Sequence, residues 1–324
     1  MREALASGGP SLSFEFFPPR DAAAQDRLFQ SVRELSRFQP SFVSVTYGAG
    51  GSARGATADI VERLQKELGL CTVAHLTCVG ASRAELFATA HDLVARGVEN
   101  VLALRGDPPR GELNFRPSAD GPRYASQLLR LLARDFDFCL GAACYPEKHP
   151  EAESLESDLQ HLAEKVDAGA EFLLTQLFFD ADDYFAFVAR ARAHGIFTPI
   201  VPGILPATDL DTVLAWSKRC GARVPASLLA TLESARDDRA AQHAVGLELT
   251  RALCERLLAG GAPGLHLYTR NRSDALPMLE QLDLPRPATR PLNASSLNAE
   301  PEGTPRYGLT PSPRPQYVGR TFGA

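Results

Sequence analysis

A glutamate stands inside a run of aromatic residues near the start of the chain, in Ser13-Phe14-Glu15-Phe16-Phe17. Burying a carboxylate among aromatic rings is costly unless the group is paired or protonated. Desolvation favours the protonated form of a carboxyl group, so Glu15 is a candidate for a general acid near neutral pH. The alternative is a structural ion pair with Arg20 or with another arginine of the fold.

Other residues that could take part in catalysis or binding follow further along the chain. Arg105-Gly106-Asp107 places a cation and an anion two residues apart, with a glycine that permits close approach of a ligand. A salt bridge within a loop explains the same three residues equally well. The Gln176 amide suits hydrogen bonding to the edge of a heterocycle. Trp216 is either a core residue or a stacking surface for a planar ligand.

The histidines and cysteines show no spacing typical of metal ligands, so we expect no metal site. His75, taken alone, is more typical of a core histidine than of a ligand. The six cysteines are scattered without a C-x-x-C pair, which favours reduced and mostly buried thiols. No nucleophile elbow, P-loop or G-x-G-x-x-G turn is present.

Short apolar runs alternate with helical-period segments and must position these residues. The predicted strands are Leu12–Phe17, Phe42–Tyr47, Thr72–Cys78, Asn100–Arg105, Phe138–Tyr145, Phe172–Phe178, Thr198–Ile204 and Gly264–Tyr268. The predicted helices between them are Asp26–Phe38, Thr57–Leu68, Arg83–Ala95, Ala125–Arg134, Ser154–Ala168 and Asp182–His194, several of them followed by glycine. Eight β-then-α units predict an α/β fold of the (β/α)8 TIM-barrel type.

The interval from Thr208 to Gly261 is too long for one helix, so extra helices are expected after strand seven. A doubly wound sheet is the competing architecture, but Pro18-Pro19-Arg20 follows strand one where that fold needs a phosphate-binding glycine turn. In a barrel the active site forms at the carboxyl ends of the strands. Glu15, Arg105, Asp107 and Gln176 all fall at predicted strand ends.

Composition sets limits on partners and organisation. Residues 285–324 contain eight prolines and a net charge of +3, which indicates a disordered tail after a single catalytic barrel over 1–284. The chain carries a net charge of −5, so residues 1–284 carry −8. An acidic folded part argues against nucleic acid as a partner. The chain has neither a long apolar run nor a secretory signal pattern, so we expect a cytoplasmic protein without a membrane partner.

Eight sequence blocks, in order over roughly residues 11–284, resemble the methylenetetrahydrofolate reductase family. They are 13–20 (SFEFFPPR), 42–49 (FVSVTYGA), 75–78 (HLTC), 104–107 (LRGD), 145–152 (YPEKHPEA), 165–170 (KVDAGA), 175–180 (TQLFFD) and 202–206 (PGILP). The resemblance is to the bacterial-type enzyme, which has the catalytic domain only. The Pro-rich tail does not resemble the long regulatory domain of the animal enzymes.

The resemblance implies an FAD flavoprotein that uses NAD(P)H to reduce 5,10-methylenetetrahydrofolate to 5-methyltetrahydrofolate by a ping-pong reaction and so supplies methyl groups for methionine synthesis. Glu15 matches the general acid that protonates the folate N10. Asp107 matches the carboxylate near the flavin and the pterin. Gln176 matches a residue that contacts the pterin or the nicotinamide. Arg272 matches a position that holds the substrate. Trp216 matches a substrate-binding position at which some relatives carry phenylalanine.

The resemblance also implies a set of cofactor-binding positions and a homo-oligomeric protein. The positions are Thr46, Tyr47, Ala49, His75, Arg105, Gly106, Asp107, Tyr124, Ala125, Tyr145, His149, Ala152, Asp158, His161 and Lys165. His161 and Glu164 stand where some bacterial relatives have Asn and Arg, and we expect Glu164 in particular to weaken contact with the adenosine half of the cofactor. A barrel oxidoreductase with a different acceptor and a catalytically silent folate-binding protein are the alternative functions.

Overall fold

The structure is a computed structural model that describes residues 1–2, 9–47, 54–107 and 118–284. Its strands are β1 (Ser11–Phe16), β2 (Phe42–Val45), β3 (Thr72–Thr77), β4 (Asn100–Leu104), β5 (Cys139–Cys144), β6 (Phe172–Thr175), β7 (Ile200–Val201), β8 (Gly203–Ile204) and β9 (Gly264–Tyr268). Its helices are α1 (Ala22–Ser36), α2 (Arg54–Leu68), α3 (Arg83–Ala95), α4 (Ala125–Asp135), α5 (Leu155–Asp167), α6 (Ala181–Ala193), α7 (Leu210–Cys220), α8 (Ala226–Ser234), α9 (Arg239–Ala259) and α10 (Leu276–Leu279).

The strands form one parallel sheet in the order β7-β6-β5-β4-β3-β2-β1-β9-β8. β7 pairs with β6 at one end of this order, and β8 pairs with β9 at the other. Since β7 and β8 are consecutive pieces of one segment, that segment joins both ends of the sheet into a ring. The sequential order lacks the reversal of a doubly wound sheet. The predicted (β/α)8 barrel is therefore confirmed.

The seventh strand is where the prediction of a continuous strand over Thr198–Ile204 was wrong. Pro202 separates β7 from β8 because proline has no backbone N–H to donate to a ladder. The Pro202 carbonyl still accepts a hydrogen bond from the His266 N–H at 2.9 Å. The break thus divides the pairing between two neighbours without opening the ring.

The helix pattern follows the predicted β-then-α alternation. α1 begins at Ala22 rather than at the predicted Asp26, because the Asp21 carboxylate caps the helix by accepting from the Ala24 N–H at 2.7 Å. Gly97 and Gly195 follow α3 and α6 in left-handed conformations, with φ of +77° and +76°. The extra helices predicted after strand seven are α7, α8 and α9.

Side chains alternate between the two faces of the strands with period two. Phe14 and Phe16 of β1 lie in the core cluster between the strands and the surrounding helices. A second buried cluster fills the lower interior of the barrel with Phe42, Val73, Leu102, Cys139, Phe172, Leu174 and Val201. Ser13 and Glu15 alternate with the outward phenylalanines, so β1 presents its polar residues to the barrel interior. The second cluster is apolar and forms the floor of the barrel interior. The polar side chains of the interior therefore lie nearer the carboxyl ends of the strands.

Other expectations from the sequence have mixed outcomes. Residues 285–324 lie outside the described residues, so the tail boundary stays a prediction. All six cysteines are free thiols, and Cys78, Cys139, Cys144 and Cys254 are buried. In the described part of the chain, no helix is both long and apolar enough to span a membrane.

Gly141 of β5 provides a test of the barrel interior. A Cβ at this position would overlap the ring of Phe172, which is fully buried on β6. We expect Gly141→Ala to lower the free energy of unfolding by roughly 1–3 kcal/mol, as overpacked cores do. Equilibrium urea unfolding measures this loss. Phe172→Leu alone and the double variant complete the cycle, in which the smaller side chain should recover part of the loss; additive losses would show that the ring does not occupy this space.

Candidate active site

Glu15 lies at the carboxyl end of β1, inside the barrel, with its side chain about 10% exposed. Its Oε2 atom is 3.5 Å from His75 Nε2 of β3 and 3.6 Å from His266 Nε2 of β9. Among the described residues, the basic groups paired with Glu15 are these two histidines and not Arg20, which the sequence suggested as a partner. The carboxyl group is therefore buried beside groups that are charged only when protonated.

His266 is fully buried and held on three sides. Its Nδ1 atom is 2.8 Å from the Ser13 hydroxyl, and its Nε2 atom is 3.5 Å from the Ser44 hydroxyl. The imidazole stacks on Phe42 with ring centroids 5.6 Å apart. In the β1–β9 register Ser13 lies opposite His266, which explains the short contact. The orientation of this ring is thus fixed by side chains of β1 and β2.

His75 shows the opposite situation, because its Nε2 atom is buried without a hydrogen-bond partner among the described residues. Burial lowers the pKa of His75 to about 4, so the imidazole is neutral at physiological pH. A buried polar atom without a partner is costly in a finished core. A ligand that hydrogen-bonds His75 Nε2 would supply the missing partner.

The end of β1 is fixed by residues that follow β9. The Asn271 side chain accepts from the Phe17 N–H at 2.7 Å and donates to the Phe17 carbonyl at 2.8 Å. The Thr269 hydroxyl donates to the Glu15 carbonyl at 2.6 Å. These positioning residues, and also Ser13 and Ser44, were not predicted from the sequence. For Ser13 a signal existed, because Ser11, Ser13 and Glu15 alternate with apolar residues along β1.

Arg105, Gly106 and Asp107 follow β4 at the same end of the barrel. The Arg105 guanidinium donates to both carboxylate oxygens of Glu151, at 2.5 and 2.8 Å. Gly106 has a φ of +82°, and a Cβ there would lie 2.7 Å from a Val79 methyl group. Asp107 is largely exposed, with Arg219 4.0 Å away. The loop salt bridge considered from sequence is thus formed by Arg105 with Glu151 and not with Asp107.

The segment after β5 brings together Tyr145, His149, Asp158 and Lys165. The rings of Tyr145 and His149 meet edge to face, with centroids 4.6 Å apart. The Asp158 carboxylate accepts from the His149 N–H at 2.8 Å, and the Ala152 N–H donates to the His149 carbonyl at 3.0 Å. The Lys165 ammonium donates to the Ala143 carbonyl at 2.9 Å. Burial lowers the pKa of Lys165 and of His149.

The predicted substrate-binding residues lie at other strand ends. The Gln176 side-chain oxygen accepts from the Leu177 N–H at 2.9 Å. Trp216 of α7 is half-buried, with its ring centroid 6.2 Å from that of Phe17. Arg272 is exposed and pairs with Asp274 at 2.9 Å. Trp216 is therefore adjacent to the segment that carries Glu15.

The remaining predicted cofactor positions are less closely grouped. Thr46 and Tyr47 follow β2, where the Thr46 N–H donates to the Phe16 carbonyl at 2.9 Å. Tyr124 is 59% exposed before α4, and Ala125 is the first residue of that helix. His161 is exposed on α5 and lies 3.6 Å from Glu164. Ala49 lies outside the described residues.

The fold and the site define a (β/α)8 barrel protein with a buried carboxyl group and a set of cationic and aromatic residues at the carboxyl ends of its strands. The family model described as methylenetetrahydrofolate reductase matches residues 1–282. A relative from Escherichia coli, 5,10-methylenetetrahydrofolate reductase, is 38% identical over 271 residues and covers 84% of this chain and 90% of its own. The chain belongs to the methylenetetrahydrofolate reductase family.

Plant relatives are longer. The rice protein named probable methylenetetrahydrofolate reductase (NADH) is 37% identical over 296 residues, which are 88% of this chain and 50% of the rice protein. The chain thus spans about half the length of the plant relatives it matches. A solved Clostridium thermocellum protein, described as binding two copies of 5-methyl-5,6,7,8-tetrahydrofolic acid, is 12% identical with a TM-score of 0.58, covering 82% of this chain and 90% of that one. This likeness shows the shared fold.

The lowered pKa of His75, about 4 against an ordinary 6.5, predicts a pH-dependent stability. Between these values the unfolded chain binds a proton that the native state does not, so stability falls as the pH falls. The expected loss between pH 7 and pH 5 is about 2 kcal/mol. We expect His75→Gln to reduce this slope in urea unfolding series, whereas the exposed His161→Gln should keep it. Equal slopes in both variants would contradict a neutral, buried His75.

Proposed function

We propose that this protein reduces 5,10-methylenetetrahydrofolate to 5-methyltetrahydrofolate, with FAD as cofactor and NAD(P)H as electron donor in a ping-pong reaction. The observation that carries the proposal is Glu15, a carboxyl group buried at the carboxyl end of β1 between His75 and His266. Family membership supports the substrate, since the Escherichia coli relative is named for the same reduction. The site supplies a desolvated proton donor where the fold places catalytic groups.

The described residues fit a flavin dinucleotide. Arg105 and Lys165 are cations in an acidic protein and suit phosphate or ribose oxygens. At Arg105 a bound phosphate would compete with the carboxylate of Glu151. Gly106 lets the backbone after β4 pass close to the side chains of Val79 and Thr77, where a Cβ would not fit. His75 Nε2 is a buried polar atom that a ligand could satisfy. When bound, the flavin supplies hydride transfer between the nicotinamide and the folate.

The chain's own residues would act on the folate as follows. Glu15 donates its proton to N10, which promotes opening of the five-membered ring. The Asp107 carboxylate stabilises the positive charge of the iminium group that forms. The Gln176 amide hydrogen-bonds the pterin edge. The Asn271 and Thr269 contacts fix the end of β1 and therefore the position of Glu15.

Two further residues would bind the rest of the substrates. Trp216, beside Phe17, offers a ring face on which a planar group can stack. Arg272 is an exposed cation suited to the glutamate carboxylates of the folate. Thr46, Tyr47, Tyr145, His149 and Asp158 belong to the proposed cofactor site. We also propose a cytoplasmic homo-oligomer whose product provides methyl groups for methionine synthesis.

One anaerobic titration tests the whole proposal. The visible spectrum of the purified full chain is recorded with added FAD, NADH or NADPH is added until the flavin bleaches, and methylenetetrahydrofolate follows. Return of the oxidised flavin bands would support both half-reactions. A flavin that bleaches but ignores the folate would move the reaction to a different acceptor. A protein that takes up no FAD would overturn the cofactor assignment.

We expect Glu15→Gln to keep flavin reduction by the nicotinamide but to lose about 10²–10⁴-fold in the rate of folate reduction, the usual contribution of a general acid. Stopped-flow measurement of each half-reaction separates the two effects. Glu171→Gln is the matched control, because Glu171 pairs with Arg2 beside the start of β6, away from the strand ends that hold the site. Equal losses in both half-reactions of Glu15→Gln would count against the acid role.

A further inference from the structure

Two consecutive residues after β9, Arg270 and Asn271, have a left-handed backbone, with φ of +55° and +59°. Residues other than glycine adopt this conformation at a cost, and it persists where the surroundings fix it. Here both side chains are held. The Asn271 amide makes two hydrogen bonds to the backbone of Phe17, at the end of β1. The Arg270 guanidinium instead contacts the segment that leads into α7, so the two side chains of the turn reach two different elements.

Arg270 joins α7 to a fixed part of the barrel. Its side chain is 18% exposed and donates to the Thr212 hydroxyl of α7 at 2.8 Å and to the Thr208 hydroxyl at 3.1 Å. Thr208 is buried, and the N–H of its neighbour Ala207 donates to the Thr250 hydroxyl of α9 at 3.0 Å. The planar fork of the guanidinium thus spans the fixed segment after β8 and the first turn of α7.

Trp216 lies one helical turn beyond Thr212, and residues four apart in a helix lie on the same face. The centroid of the indole ring is 6.2 Å from that of Phe17. Asn271 holds the backbone of Phe17, and Arg270 holds the helix that carries Trp216. The same left-handed turn therefore sets the gap between the two rings.

We propose that Arg270 is a positioning residue for Trp216: by fixing the first turn of α7 to the end of β9, it holds the indole beside Phe17 as a stacking face of constant orientation for the ring systems of the substrates. The inference deepens the proposed function and rests on it for the identity of those rings. In the proposed ping-pong reaction two planar substrates use the site in turn, so a face that keeps its place orients both of them.

Trp216 is the only tryptophan of the chain, so selectively excited tryptophan fluorescence reports on this ring alone. Acrylamide quenching of the full chain, compared at equal flavin content, measures how freely the indole meets solvent. Arg236→Met is the matched control for Arg270→Met, because the exposed Arg236 lies 3.8 Å from Asp211 of the same helix and donates to Glu233 of α8. We expect the bimolecular quenching constant to be about twofold larger in Arg270→Met than in Arg236→Met.

Thr212→Val tests the same contact from the other side, because it removes the acceptor hydroxyl and leaves the cation in place. We expect its quenching constant to rise as well. Quenching of the native state separates positioning from stability, because a merely structural residue lowers the urea midpoint without changing the quenching below the transition. Quenching constants equal to that of Arg236→Met in both variants would overturn the proposal. If Arg270→Met does not fold, Thr212→Val decides.

Steady-state kinetics measure the use made of this face. In Arg270→Met we expect the KM values for the nicotinamide dinucleotide and for methylenetetrahydrofolate to rise about fivefold, with kcat changed less than about twofold, as for a weakened ground-state contact. Unchanged KM values in a variant with raised quenching would overturn the indole as the stacking face of the substrates. If the quenching behaves as expected but the protein does not reduce methylenetetrahydrofolate, the positioning of Trp216 by Arg270 stands and the proposed function fails.

Discussion

A carboxyl group buried inside a closed parallel barrel is the constraint on which this site depends. Glu15 lies in a layer with the apolar floor of Phe42 and Phe172 below it and the carboxyl ends of the strands above it. An ionised carboxylate in such a place costs several kcal/mol unless a charge pairs with it. The inner wall offers serines and histidines at this level, with arginines kept to the rim. Glu15 is therefore paired with two histidines of the interior and not with an arginine of the rim.

The closure of the barrel at β7 and β8 and the orientation of the site depend on each other. Pro202 interrupts the seventh strand, yet its carbonyl accepts from the His266 N–H, and the Gly203 N–H donates to the Thr175 hydroxyl at 2.8 Å. The Tyr268 hydroxyl reaches back to the Thr175 carbonyl from β9. The same contacts that close the ring thus hold β9, and with it His266, at a fixed height against β1. A less regular closure would leave the imidazole free to turn.

The sequence was sufficient for the barrel because strand and helix periodicities are local properties. It also identified Glu15, since a charged residue among phenylalanines is visible without a fold. It could not show that the partners of Glu15 are histidines, because Ser13 and His266 meet only through the β1–β9 register, about 250 residues apart in the chain. For the same reason the Arg105–Glu151 pair was not predicted: the two residues come from the ends of different strands.

The distribution of charge follows from the same geometry. Glu15 and the two histidines lie in the desolvated interior, whereas Arg105, Asp107 and Arg272 lie where solvent reaches them. Proton transfer benefits from a dry environment, because water would stabilise the ionised acid before it could act. Anionic ligands need cations that are accessible to them and whose partners can be exchanged, as Glu151 can be at Arg105. A barrel meets both needs with one set of strands, since its interior and its rim are separated by the length of a few residues along each strand.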